Sequence, residues 1–259
     1  MTAEQPDSPY LSVIVPAYNE EARLPTTLAT IGAFLESRPY PAEFIVIDDG
    51  SSDATLSRAL ERRPYSGAYR VLSQPHQGKA AAVRLGVLQA RGQNILFTDA
   101  DLSTPIEAVD ALLAEIERGA DIAIGSREGA SARRIGEPFY RHLMGRAFNR
   151  VVQLVAVPGI DDTQCGFKLF TRRAARVIFP ELRLHQSGHR LRGPKVSAFD
   201  VEILYLARRH GMKIAEVPVI WKHVPGSKVR PALDSVRMLL DVLQVRVNAL
   251  LGKYNGRAG

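Results

Sequence analysis

One cysteine in 259 residues, Cys165, excludes an intrachain disulfide and any zinc site built from several thiolates, and reads as a small buried hydrophobe. Long apolar runs are lacking too. Stretches such as Phe44 to Ile47 last a few residues, against the ~20 needed to cross a bilayer, so no membrane span is expected. Met1 to Tyr10 is acidic and proline-containing, without the basic-then-apolar layout of a secretory signal, and the reading is of a cytoplasmic protein. No Gly-x-Gly-x-x-Gly follows a candidate strand, which removes support for a dinucleotide cofactor, and no Gly-x-Ser-x-Gly elbow supports serine-hydrolase chemistry. Internal repeats and low-complexity stretches are missing as well. What is present is an ordinary globular composition, 46% hydrophobic and 24% charged, sufficient for one main α/β unit.

Charge is unevenly placed. The net value is +7, yet residues 1–125 hold 10 Lys/Arg against 17 Asp/Glu while residues 126–259 hold 24 against 10. A basic C-terminal half suggests contact with phosphates or an anionic surface.

Short β-branched runs alternate with helical patterns through the first half. Strands are expected at Leu11–Val15, Phe44–Ile47, Tyr69–Leu72, Ile95–Thr98 and Asp121–Gly125. Helices are expected at Glu20–Glu36, Asp53–Arg63, Lys79–Arg91 and Pro105–Arg118, the second opened by Ser52 or Asp53 and the last by Thr104 with Pro105 in the first turn. Such a series predicts a mostly parallel sheet covered by helices, with ligands at the carboxyl ends of the strands. Beyond Gly125, Arg127–Glu137 reads as a mobile loop and Phe139–Val157 as a basic amphipathic helix, with Leu143, Ala147, Val151 and Leu154 on its apolar side. Gly166–Thr171 reads as a strand, Leu182–Lys195 as a loop, Phe199–His210 as a helix and Lys213–Ile220 as a strand. The closing helix, Ala232–Leu251, carries Val236, Leu239, Leu240, Leu243, Val247 and Leu250 along one face.

Four polar clusters fall at predicted strand ends: Pro16–Glu20, Asp48–Asp53, Asp99–Ala100–Asp101 and Gly125–Ser126–Arg127. Two carboxylates at alternate positions of an extended segment project to one side, where they repel unless a cation intervenes. A hard divalent ion meets that need, since it accepts one or two carboxylates together with substrate phosphate oxygens. The carboxylates of Asp48–Asp49 suit a ribose hydroxyl or a base N–H, though the same segment could simply cap the next helix. Lys79 follows Gly78 at a helix start, a reasonable anion contact, but Ser73 and Ala80 break the phosphate-loop pattern.

Together these segments, with Asp162–Lys168 and Phe199–Glu202, resemble the family 2 glycosyltransferases of GT-A fold. Within that family they are similar to the dolichyl-phosphate β-glucosyltransferases and the related dolichol-phosphate mannose synthases. The resemblance implies a Rossmann-like sheet sandwiched by helices over residues 11–228, preceded by a tail at 1–10 and followed at 229–259 by the amphipathic helix and its tail. It implies that Pro16, Tyr18, Glu20, Asp49 and Lys79 line a nucleotide pocket, that Asp99, Ala100 and Asp101 sit at the sugar diphosphate, and that Mg²⁺ or Mn²⁺ is held by Asp99 and Asp101, most directly by Asp101. Arg127 and Arg141 match positions that receive a lipid phosphate, and Lys228 lies in a loop that closes over the donor.

The reaction implied is inverting transfer of a hexose, glucose from UDP-glucose foremost, to a polyprenyl phosphate. GDP-mannose is an alternative donor, and a soluble or cell-wall saccharide hydroxyl an alternative acceptor. A hydroxyl would need a carboxylate to take its proton, with Asp200 or Glu202 the candidates. Asp101, Arg127 and Asp200 are accordingly the catalytic residues expected. A non-catalytic basic module that binds nucleic acid is disfavoured, because carboxylates in the crevice repel a polyanion. Peripheral contact of the two amphipathic helices with the cytoplasmic membrane face completes the expectation.

Overall fold

The computed structural model describes residues 8–61, 63–136, 139–184, 197–224 and 231–254, with only the backbone for 139–144, 147 and 231–235. Its order is β1 (Leu11–Ala17), α1 (Leu24–Glu36), β2 (Ala42–Asp48), α2 (Thr55–Glu61), β3 (Ala68–Ser73), α3 (Lys79–Gln89) and β4 (Asn94–Thr98). A 3-10 turn at Ile106–Ala108 then leads to α4 (Val109–Glu117), β5 (Ile122–Ser126), β6 (Arg133–Ile135), α5 (Phe139–Val155) and β7 (Phe167–Thr171). The chain continues through α6 (Arg172–Glu181), α7 (Phe199–Arg209), β8 (Ile214–Pro218), β9 (Ile220–Lys222) and α8 (Pro231–Leu250).

Seven strands form the central sheet in the order β3-β2-β1-β4-β7-β5-β8. Every neighbouring pair is parallel except those made by β7, which runs antiparallel to both β4 and β5. Strands β1, β2, β4 and β5 are buried along their whole length, which is why they read as largely apolar runs without strict alternation. One core lies on the face that receives Leu24, Leu28 and Ile31 of α1 with Leu112 of α4. The other gathers Val83 and Val87 of α3, Ile178 and Phe179 of α6, and Val201 and Leu204 of α7. Helix α3 reaches the sheet closely because position 86 has no side chain: a Cβ there would lie 2.5 Å from Ile14 and 2.6 Å from Ile47.

Several boundaries differ from expectation for identifiable reasons. Residues 20–23 form a turn, with the Leu24 N–H donating to Glu20 O at 2.8 Å, so α1 begins at Leu24 with Pro25 in its first turn. Pro105 is extended (ψ 141°) and precedes the 3-10 turn instead of entering a helix. The segment expected as a mobile loop contains β6, paired in parallel with β9 in a small second sheet. The single strand expected at Lys213–Ile220 is two, β8 ending at Pro218, whose missing N–H cannot continue a ladder. Helix α6 was not anticipated; it is capped by Thr171, whose hydroxyl accepts from the Ala174 N–H, and contains Pro180.

Helices α5 and α8 meet the core through residues other than the apolar faces read from sequence. Helix α5 packs through Val152, with Phe148 and Val155 partly buried, while Leu154 is 81% exposed. Helix α8 packs through Val242 and Val245, leaving Val236, Leu240, Leu243, Val247 and Leu250 at the surface. Each helix therefore has a second apolar face beyond the one the core uses.

Filling the gap under α3 should be costly. Gly86→Val is expected to lower stability by about 1–3 kcal/mol, read as a drop in the urea midpoint without a change in slope; an unchanged midpoint would contradict the close approach described.

Candidate active site

The strand order reverses between β1 and β4, and β1–β4 pairing stops at Ile14–Phe97, opening a crevice at the carboxyl ends of both strands. Pro16 closes the buried end of β1 beside this opening. The loops after β1, β2 and β3 interlock around it. Asn19 takes a left-handed backbone (φ 53°), donates its N–H to Ser51 Oγ at 2.9 Å and accepts from the Ser52 N–H at 2.8 Å. Gly50 (φ 67°) leaves no room for a side chain, because a Cβ would sit 2.5 Å from the His76 backbone nitrogen.

Asp49 ties the third loop down. Its carboxylate accepts from Gln74 Nε2 at 2.7 Å, the Gln77 N–H at 2.9 Å, the Gly78 N–H at 2.8 Å and His76 Nδ1 at 2.7 Å. Four donors fill the four lone-pair positions of a carboxylate. Asp49 is thus not the free acceptor that its sequence context suggests; it organises the pocket instead. The His76 ring lies flat against Tyr18, centroids 3.8 Å apart and planes 7° from parallel. Glu20 pairs with Arg23 at 3.1 Å, and its backbone N–H donates to Thr55 Oγ1.

Gly78 (φ 96°) starts α3, and Lys79 at the head of the helix places its ammonium 2.5 Å from Asp99 Oδ1. Burial pulls the Lys79 pKa down, but Asp99, Asp200 and Asp101 outweigh it, and the ammonium is held above its ordinary value. Asp101 is pushed above the usual carboxylate range by burial and by Asp99, opposed by hydrogen bonds from Ser103, whose N–H lies 3.0 Å from Asp101 Oδ1, and by Lys79. Ala100 contributes structure: its carbonyl accepts from Thr27 Oγ1 of α1 at 2.5 Å, fixing the acidic turn. Asp99 rests on Gly166, where a Cβ would stand 2.1 Å from Oδ2.

At the end of β5, Arg127 grips Asp162 with Nε at 2.7 Å and Nη2 at 2.8 Å, while its backbone N–H donates to the same carboxylate at 2.9 Å. Trp221 of β9 lies against the guanidinium, 5.6 Å from ring centroid to Cζ. Arg127 was expected as an open fork for an acceptor phosphate; two of its donors are engaged within the protein. Burial alone would raise Asp162, yet the Arg127 charge and hydrogen bonds hold it far below the usual carboxylate range.

Asp200 and Glu202 are likewise engaged. Asp200, in the first turn of α7, meets Lys168 Nζ at 2.6 Å, and Lys168 is fully buried beside the Phe97 ring. Glu202 accepts from the Arg183 and Leu184 N–H groups and from Tyr254 Oη at 2.7 Å. Both candidate proton acceptors are thus held by partners within the protein. The Arg141 side chain, Lys228 and most of the Leu184–Ala198 segment lie outside the described residues. The partners Asp162, Lys168, Gly166 and His76 had no role assigned from sequence, although the first three share the Asp162–Lys168 segment that carried part of the family resemblance.

The Arg127–Asp162 pair has a pH signature. Asp162→Asn should cost about 3 kcal/mol at neutral pH, at the lower end for a broken buried pair because Arg127 keeps 17% exposure. With its folded pKa depressed, Asp162 stabilises fully above its unfolded pKa of about 4 and progressively loses that contribution as pH falls toward the folded value. Urea titrations of both proteins should therefore converge below about pH 4; a constant gap down to strong acid would contradict the assignment.

A family model described as glycosyl transferase family 2 matches residues 12–179. The dolichyl-phosphate β-glucosyltransferase of Drosophila melanogaster is 43% identical over 265 residues, covering 96% of this chain and 78% of its own. Those of Dictyostelium discoideum and Homo sapiens are 40% and 37% identical, each with at least 95% of this chain and 76% of their own length covered. Glucosyl-3-phosphoglycerate synthase from Mycobacterium tuberculosis, crystallised with Mn²⁺, UDP-glucose and phosphoglyceric acid, shares the fold with a TM-score of 0.59 at 20% identity, over 97% of this chain and 82% of that one. Mannosyl-3-phosphoglycerate synthase from Rubrobacter xylanophilus gives 0.59 at 16% identity, over 96% and 76%. The chain is a glycosyltransferase of GT-A fold that belongs to family 2, with the dolichyl-phosphate β-glucosyltransferases.

Proposed function

We propose that this enzyme transfers glucose from UDP-glucose to a polyprenyl phosphate, inverting the anomeric carbon. The observation that carries the acceptor class is the commitment of both candidate bases, Asp200 to Lys168 and Glu202 to two amides and Tyr254. A sugar hydroxyl must lose a proton as it attacks, which calls for a free base in the crevice. A phosphate arrives ionised. The named activity of the relatives, glucosyl transfer involving dolichyl phosphate, points the same way.

In this reading the lipid phosphate oxygen attacks C1 of glucose and UDP departs from the opposite face. Lys79, at the head of α3, offers an ammonium and a helix N-terminus to the departing diphosphate. Asp99 and Asp101 suit a divalent cation: two carboxylates stand near one ammonium, and burial together with the Asp99 charge raises the Asp101 pKa. An ion held by this pair would be completed by substrate phosphate oxygens and water. Bound there, Mg²⁺ or Mn²⁺ would act as a Lewis acid on the diphosphate. Arg127 at the end of β5, held by Asp162 and lying against Trp221, is the first proposed acceptor contact, and Arg141 of α5 the second.

No helix among the described residues is long and apolar enough to cross a membrane. Access to a lipid acceptor is assigned to the second apolar faces of α5 and α8, where Leu154, Leu240, Leu243 and Leu250 are exposed near basic Arg150, Arg246 and Lys253. The strong positive charge of the C-terminal half favours anionic headgroups at the cytoplasmic face.

Two measurements test this function. In a transfer assay with UDP- and GDP-sugars, polyprenyl phosphate or free saccharides, and either metal, turnover should be found with UDP-glucose and polyprenyl phosphate. Asp101→Asn should reduce it on the order of a hundredfold; turnover on free saccharides alone would overturn the acceptor, and GDP-mannose preference the donor. In sedimentation with vesicles containing anionic lipid, the wild type should pellet and Leu240→Glu/Leu243→Glu should pellet several-fold less. A wild type that stays in the supernatant would contradict the membrane assignment.

A further inference from the structure

The Tyr18–His76 stack joins two loops that sequence places 58 residues apart, and the His76 ring is gripped more firmly than packing requires. Its side chain is 6% exposed and that of Asp49 is 3% exposed. Nδ1 faces two acceptors, Asp49 Oδ2 at 2.7 Å and the Asp49 carbonyl at 3.1 Å, so that nitrogen carries the proton. Asp49 therefore fixes the tautomer and anchors the ring through Nδ1. Tyr18, by contrast, stands half-exposed at the rim of the crevice, directly after β1. A flat side chain at a ligand rim has two soft dihedrals, and a parallel ring at 3.8 Å braces this one along its face.

The same carboxylate holds the Gly78 N–H, one residue before Lys79. Asp49 thus anchors both the ring behind Tyr18 and the backbone that leads into Lys79. We propose that His76 is the positioning residue for the nucleobase of the donor, holding Tyr18 as the surface on which the base stacks while Asp49 holds His76. The inference deepens the nucleotide-sugar reading above and rests on it. His76 does not touch the donor; its effect passes through the Tyr18 ring, and it concerns the base and not the phosphates.

Calorimetric titration separates these contributions, using UDP and, as a base-free ligand, inorganic pyrophosphate, both with Mn²⁺. Base–aromatic stacking is worth about 1–3 kcal/mol, so His76→Ala should weaken UDP by roughly tenfold or more. Pyrophosphate binding should change less than about twofold, well inside one decade per 1.4 kcal/mol. His76→Phe, which keeps a ring against Tyr18 without the Nδ1 hydrogen bond, should recover most of the lost UDP affinity. Equal weakening of UDP and pyrophosphate would mean that His76 only braces the loop before Lys79, and unchanged UDP affinity would mean that it braces nothing the donor uses; either result overturns the proposal. A wild type that binds GDP in place of UDP overturns the uridine donor but leaves the same comparison to be made with GDP. A wild type that binds neither overturns both readings.

Discussion

Negative charge is crowded at the carboxyl edge of this sheet, and its distribution among cations and amides organises everything around it. Asp49 is satisfied by two amide N–H groups and two side chains, Asp162 by Arg127, Asp200 by Lys168 and Glu202 by Tyr254 and backbone. Each of these carboxylates is buried, where an unpaired charge would cost several kcal/mol. Asp99 and Asp101 form the exception. They share one ammonium, remain partly exposed in the crevice, and leave Asp101 with a raised proton affinity. Charge that the protein does not neutralise is what a cation and a diphosphate can complete together.

The antiparallel strand β7 is the architectural source of this arrangement. Inserted between β4 and β5, it carries Gly166 against Asp99 just before its first residue and Lys168 beneath Asp200 inside it. The turn leading into it supplies Asp162 to Arg127 at the end of β5. One strand and its approach thus supply a cradle, a buried ammonium and an anchoring carboxylate to three parts of the site. Proteins of this fold that lacked the small residue at 166 would force the Asp99 carboxylate out of its present place.

Much of this was legible in the sequence because it is local. Asp99-Ala100-Asp101 follows Asn94–Thr98, whose Ile95-Leu96-Phe97 centre reads as a buried strand, and the other polar clusters likewise sit at strand ends. Glycines at 50 and 78 mark turns that require left-handed backbone. What stayed hidden depends on strand order. Arg127 and Asp162 are 35 residues apart, Lys168 and Asp200 are 32 apart, and neither pairing follows from periodicity. Sequence brings Asp49, Arg127, Asp200 and Glu202 to the strand ends, but not the distant partners that hold them. Helix α6 was missed because Pro180 and a basic opening obscure its buried stripe of Ala174, Ala175, Ile178 and Phe179. On α5 and α8 the pattern revealed amphipathicity but not which apolar face meets the core, since each helix has two.

The crowded carboxylates have one thermodynamic consequence that is independent of turnover. If Asp99 and Asp101 lack a cation that the donor diphosphate helps to hold, then metal and nucleotide must bind with positive coupling, and by linkage each must strengthen the other by the same factor. Titrating the wild-type protein with UDP in the presence and absence of Mn²⁺, and with Mn²⁺ in the presence and absence of UDP, measures that factor from both sides. The account predicts equal enhancements of about tenfold or greater in the two directions; UDP affinity that is indifferent to Mn²⁺ and Mg²⁺ would contradict it.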